Sequence, residues 1–251
     1  MDARDAAVAT GGPLGGVGAG FYFSPQAVSR APECGLDVIG LYACGRGGVL
    51  GDVSADEVDR VFAFFKPGMI AGMVSAGRAQ ATGDVLAVHV ASAVDYARAT
   101  FGGIDPAVLD GFSAAAAAVV GALPTGRWPL VDGYRALPVP ADPVAAAYWW
   151  AVLLREVRGG VHTEVVAESE LSFAAACQFD RGDDYYRLHG FTEEDRVPET
   201  EAALAARKEI EEETEDRMAA LFDVLDAAGL AALVAGALAF EGAVFDPVPV
   251  V

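Results

Sequence analysis

Asp142-Pro-Val-Ala-Ala-Ala-Tyr-Trp-Trp-Ala-Val-Leu-Leu-Arg-Glu-Val-Arg-Gly-Gly-Val-His-Thr-Glu164 is the stretch on which the reading of the fold turns. Aspartate before proline is a helix start. The carboxylate accepts from backbone N–H groups of the first turn, and proline at the first helical position lacks an N–H that would have had no intrahelical partner. From Val144 to Leu154 the chain is apolar and aromatic without the alternation of a half-buried strand, so the segment is predicted to be a buried helix. It gives way to Arg155, Glu156 and Arg158, and Gly159-Gly160 is read as its end. The pattern is that of a buried helix running out into a polar pocket.

The same start signal recurs at Asp105-Pro106, opening a helix through the Ala114 to Ala118 tract to Gly121. Ser54-Ala-Asp-Glu57 is a capping-box pattern, and the helix behind it carries Val58, Val61, Phe62 and Phe65 on one face before Pro67. Apolar residues from Val85 to Val94 suit a further helix, whereas strand signals are nearly absent. The expected fold class is all-α: two helical halves, 16–123 and 142–251, around an interhelical cavity. A Pro-rich crossover at 124–141, with prolines at 124, 129, 138 and 140, separates them. Residues 1–15 are expected to be disordered. In the second half, helices are expected over 143–158, 161–178, 196–220 and 226–241, and the acidic cluster Glu209 to Glu213 is read as a solvated face.

With 251 residues, 53% of them hydrophobic, the chain can bury one large core or two small ones. Its formal net charge is −19, from 36 Asp and Glu against 17 Lys and Arg. A duplex is held mainly by cations neutralising phosphates, so nucleic acid is an unfavoured partner on charge alone. Cys34, Cys44 and Cys177 fit no metal-knuckle spacing and read as reduced core thiols. The amino terminus lacks the order of a signal peptide, and the window Gly229 to Phe240 falls short of the roughly 20 residues that span a bilayer. A cytoplasmic location with no membrane partner is expected.

Tyr22-Phe-Ser-Pro-Gln-Ala27, Gly35-Leu36, Tyr42-Ala-Cys-Gly-Arg-Gly-Gly-Val-Leu-Gly-Asp-Val53 and Phe64-Phe65-Lys-Pro67 stand in one order along the chain, followed by Leu154-Arg-Glu-Val-Arg-Gly-Gly-Val-His162, His189-Gly-Phe-Thr-Glu-Glu194 and Ile210-Glu-Glu-Glu-Thr-Glu215. This series resembles an actinobacterial family of helix-turn-helix or MarR-like proteins, across nearly the whole chain. The resemblance implies a winged-helix-related topology, DNA binding and homodimers. Two departures stand against inherited function. Too few residues separate Glu194 from Ile210 for a helix plus a wing hairpin, so the wing reads as degenerate. Glycine at 15 or 16 stands where the family has a histidine.

The candidate chemistry lies at the helix junction. His162, following the Gly-Gly pair, is expected in the first turn of the next helix, where the macrodipole disfavours imidazolium and leaves a neutral base. Glu156 and Glu164 flank it, and the three form the candidate catalytic set. Tyr42 and Arg46, in a Gly-rich segment without a phosphate-loop ending, together with Tyr148, Trp149, Arg155 and Tyr185, form the candidate substrate-binding set. His89 reads as a core histidine, and no metal site or cofactor is expected. The reading favoured is a cofactor-independent enzyme of bacterial natural-product metabolism, acting on an apolar or aromatic small molecule by acid–base chemistry. The alternatives are a non-catalytic binder that sequesters such a molecule and a MarR-like transcriptional regulator. For the regulator, Arg181, Arg187, Arg196, Arg207 and Lys208 are the nearby cations.

Overall fold

A computed structural model describes residues 1–180 and 182–245. The elements are α1 (Ala3–Val17), α2 (Pro25–Arg30), α3 (Val38–Gly48), α4 (Ala55–Phe62), α5 (Met69–Gln80), α6 (Val85–Phe101), α7 (Pro106–Ala122), α8 (Pro129–Ala136), α9 (Pro143–Glu168), α10 (Phe173–Gln178), α11 (Asp183–Leu188), α12 (Glu201–Phe222) and α13 (Ala227–Phe245). Among the described residues there is no strand. The all-α class is as expected.

The predicted start signals cap their helices, although at Ser54 only the serine half of the box forms. Asp142 accepts from the Ala145 N–H at 2.9 Å, Asp105 from Ala107 at 2.8 Å and Ser54 from Glu57 at 3.1 Å. Gly159-Gly160 does not end a helix, however, because α9 runs unbroken for 26 residues. Glycine inside a helix costs about 1 kcal/mol relative to alanine. Gly160 has a packing reason to be glycine: a Cβ there would stand 2.6 Å from Cδ1 of Trp128. The helix ends instead at Ser169, and α10 begins after Ser172, so the expected helix over 161–178 is two pieces.

Residues 1–15 are not disordered. They form most of α1, with a capping box at Asp2 and with Ala6, Ala7, Leu14 and Val17 buried. The Gly-rich composition reflects close helix packing: a Cβ on Gly11 would sit 3.2 Å from Nε of Arg158 on α9. The segment 124–141 likewise holds α8, which buries Leu130, Val131 and Tyr134. Helices from both ends of the sequence interleave, α1 packing on α12, α13 and α9, and α7 on α13 and α9. One core cluster joins them, with α9 contributing Tyr148, Trp149, Val152, Leu153 and Leu154.

The apolar part of α13 is longer than the window Gly229 to Phe240. Ala227–Val244 is long and apolar enough to cross a membrane by length and composition. In this fold its Leu233, Ala237 and Phe240 are buried, and Phe240 meets Phe101 and Phe112 edge-on at 4.9 and 5.2 Å.

Candidate functional site

The polar end of α9 faces a cavity of about 540 Å³ bounded by α1, α3, the α4–α5 connection, α8, the α10–α11 region and α12. Among the described residues, six arginines and five carboxylates line it beside Tyr42, Phe62, Phe64, Phe65 and Trp128. The walls are thus far more charged than an apolar ligand requires.

Glu156 anchors the deepest part, its side chain 1% exposed. Arg46 donates to both carboxylate oxygens, Nε to Oε1 at 3.1 Å and Nη2 to Oε2 at 2.8 Å. Arg155 donates through Nη1 to Oε1 at 2.5 Å, and the Tyr22 hydroxyl donates to the same oxygen at 3.0 Å. Burial alone would raise the Glu156 carboxyl, but Arg46 and Arg155 outweigh it and hold it at about 2. Removing one partner of such a buried pair costs about 3–5 kcal/mol, because it leaves charge uncompensated. Glu156 therefore stays ionised near neutral pH and does not exchange a proton there. Arg46 also lies over the Phe62 ring, 4.2 Å from its centroid.

His162 sits inside α9, not at a helix start. It is neutral, as expected, but for another reason: burial lowers it to about 4, Glu211 opposes, and Arg158 and Arg207 reinforce the shift. Its Nδ1 lies 3.0 Å from Oγ1 of Thr214, whose hydroxyl donates to the Ile210 carbonyl at 2.7 Å. A hydroxyl has one proton, so Nδ1–H is the donor and Nε2 carries the lone pair. Phe64 stacks on the ring at 5.4 Å.

Glu164 also lines the cavity but is held by Arg127, at 2.7 and 3.0 Å, and by the Trp128 indole N–H at 3.0 Å. No hydrogen bond links His162, Glu156 and Glu164 into a relay among the described residues. Tyr42, Arg46, Arg155 and Tyr185 line the cavity as expected. Tyr148 and Trp149 do not. Both are 1% exposed in the core, where Tyr148 donates to the Val17 carbonyl and Trp149 packs edge-on against Tyr134. Three consecutive aromatics on a helix point in different directions, and α9 is surrounded at that level, so core packing takes them. His89 is a buried core histidine, 2.9 Å from the Tyr134 hydroxyl and lowered to about 3 by burial.

Sequence reasoning missed the α12 wall. Glu211 is not solvated: it accepts from Arg158 at 2.6 Å and from Arg207 at 2.7 Å, and Arg207 also reaches Asp180 at 2.9 Å. A signal existed, since 207, 211 and 214 recur at helical spacing beside the buried Ile210 and Met218. The three cysteines are free and buried, with burial pushing Cys177 to about 12. Among the described residues no group of three His, Cys, Asp or Glu side chains is placed to hold a metal ion.

Beside the cavity, the short helices α10 and α11 pack on each other as a pair, with Gly182 just before α11 at φ 82°. Cys177, Tyr186 and Phe191 give it a small core of its own. Fold and site together define an all-helical protein with a charged interhelical cavity and a helix pair at its rim. Residues 11–248 match the helix-turn-helix family, and the chain belongs to that family. No curated protein and no solved structure shows a significant match. Membership overturns the expectation that nucleic acid is an unfavoured partner. That expectation rested on net charge, which describes the whole surface, whereas a helix-turn-helix meets the duplex through a local one.

Proposed function

We propose that this chain is a DNA-binding transcriptional regulator of the helix-turn-helix class, acting in the cytoplasm and presenting α10 and α11 to the duplex. The observation that carries the reading is the family match over residues 11–248. The α10–α11 pair supports it, being two short packed helices with a positive-φ glycine, Gly182, just before the second. Arg187, 58% exposed on α11, and Arg196 just beyond it are the cations available to phosphates. Arg181, also counted from the sequence, lies outside the described residues. The MarR-like label is the finer form of this proposal, without a wing.

Fluorescence anisotropy with duplexes from the region flanking the protein's own gene tests it. A sequence-dependent affinity at least a hundredfold above a scrambled duplex of equal length is expected. Equal affinity for both, or none at low salt, would overturn the reading.

Acid–base turnover in the cavity keeps one supporting observation, the neutral His162 with its Nε2 lone pair. Glu156 gives it no support, because two guanidiniums hold the carboxylate ionised.

A further inference from the structure

We propose that the cavity binds a small organic monoanion, a carboxylate, through Arg155 and Arg46. The cavity's charge differs from that of the rest of the chain. The whole sequence carries −19, yet among the described residues the cavity wall holds six arginines against five carboxylates, with its histidines not counted as charged. The excess is local. Arg46 and Arg155 converge on one carboxylate, Glu156, and the remaining partner at that carboxylate, the Tyr22 hydroxyl, is a further donor. One positive charge thus lacks a counter-charge where solvent access is limited, the arginine side chains being 10% and 25% exposed.

Hydrogen-bond geometry gives a second, independent indication. Arg46 spends its Nε and Nη2 fork on Glu156, whereas Arg155 reaches Glu156 and Tyr22 through Nη1 alone. Among the described residues the Nε and Nη2 of Arg155 and the Nη1 of Arg46 have no acceptor. A vacant guanidinium fork matches the two oxygens of a carboxylate, with parallel N–H donors. A monoanion balances the cluster, and a dianion would exceed it. Elsewhere on the cavity wall, Arg207 has a buried Nε with no partner among the described residues, a donor for a polar group at the far end of the ligand. The volume of about 540 Å³ suits a small molecule. Phe62, Phe64 and Phe65 offer its carbon skeleton a wall.

This site is measured without DNA, so its failure and that of the duplex reading are distinguishable. Isothermal titration of the full chain with phenylacetate, phenylacetamide and benzylphosphonate, in a buffer alkaline enough to hold the phosphonate as a dianion, tests charge and geometry together. Phenylacetate is expected to bind at least tenfold more tightly than the isosteric amide and more tightly than the phosphonate dianion, and to raise the melting temperature. Arg155→Lys, which keeps the charge and removes the fork, is expected to weaken phenylacetate at least tenfold. It should leave the melting temperature of the free protein near the unsubstituted value. Arg98→Lys, far from the cavity on α6, should bind as the unsubstituted chain does. Amide binding as tight as acid, no acid binding at 10 mM, or full affinity in a folded Arg155→Lys would each overturn the proposal. Preference for the phosphonate would overturn the monoanion assignment.

Discussion

His162, His89 and Glu156 share one property: each prefers, in the folded chain, the form with fewer protons. Burial lowers His162 to about 4 and His89 to about 3, and the two arginines hold Glu156 at about 2 against burial. In the unfolded chain these groups titrate near the ordinary values of about 6.5 for histidine and 4.3 for glutamate. Between each pair of values the unfolded state binds the extra proton, so stability falls as pH falls. The histidine contribution is fully present above about pH 6.5 and is lost down to the folded values; that of Glu156 is lost later, between about 4.3 and 2. The melting temperature should therefore begin to decline near pH 6, before carboxylates protonate. His162→Gln, which can still donate to Thr214, should remove up to about 3 kcal/mol of that decline between pH 6.5 and 4. A melting-temperature profile for His162→Gln parallel to that of the unsubstituted chain would sink this account. The sequence pointed to a neutral His162 but not to its cause, because burial by Phe64 and α12 depends on contacts far along the chain.

At the scale of elements, the signals that were legible are local. Asp142, Asp105 and Ser54 each cap the helix their pattern announced, since a cap needs only the next few residues. Gly159-Gly160 and the glycines of α1 were misread for the converse reason. Glycine lowers helix propensity locally, and what keeps α9 continuous is its packing against α1, α8 and α12. The two α9 glycines should answer alanine in opposite directions. At Gly159 an added Cβ meets nothing within 4 Å, so Gly159→Ala should stabilise by about 0.5–1 kcal/mol. At Gly160 the Cβ would press on the Trp128 ring, which its hydrogen bond to Glu164 holds in place, so Gly160→Ala should destabilise by about 1–3 kcal/mol. Urea unfolding of both variants measures the contrast. Equal shifts of one sign would mean that α8 does not bear on α9 through that indole. The candidate site divides in the same way. Residues on the polar end of α9 could be chosen from sequence, while Arg207, Glu211 and Thr214, whose spacing marks one face of α12, could be assigned to the cavity only once α12 was packed against α9.

For the whole molecule, the proposed role asks how a chain of charge −19 would meet a polyanion. The exposed cations in and near α11 and on α12 have acidic neighbours. Arg187 lies by Asp183 and Asp184, Arg196 by Asp183 and Glu193, and Lys208 by Glu212. At physiological salt the Debye length is about 8 Å, so distant acids on the same surface are largely screened while the neighbours on α11 are not. Duplex affinity through this helix pair should depend on few phosphate contacts and fall gently with salt, the slope of log K against log salt being about 0.9 per phosphate neutralised. Two substitutions with opposite effects locate the contact. Arg187→Ala should weaken all duplexes alike and reduce that slope by about 1. Asp184→Asn removes a carboxylate that is wholly exposed in the first turn of α11. It should tighten binding severalfold at 50 mM salt, with the gain shrinking as salt rises. If both variants follow the unsubstituted chain from 50 to 200 mM salt, α11 does not face the duplex. If only the arginine matters, phosphate lies near Arg187 while the start of α11 points away from it.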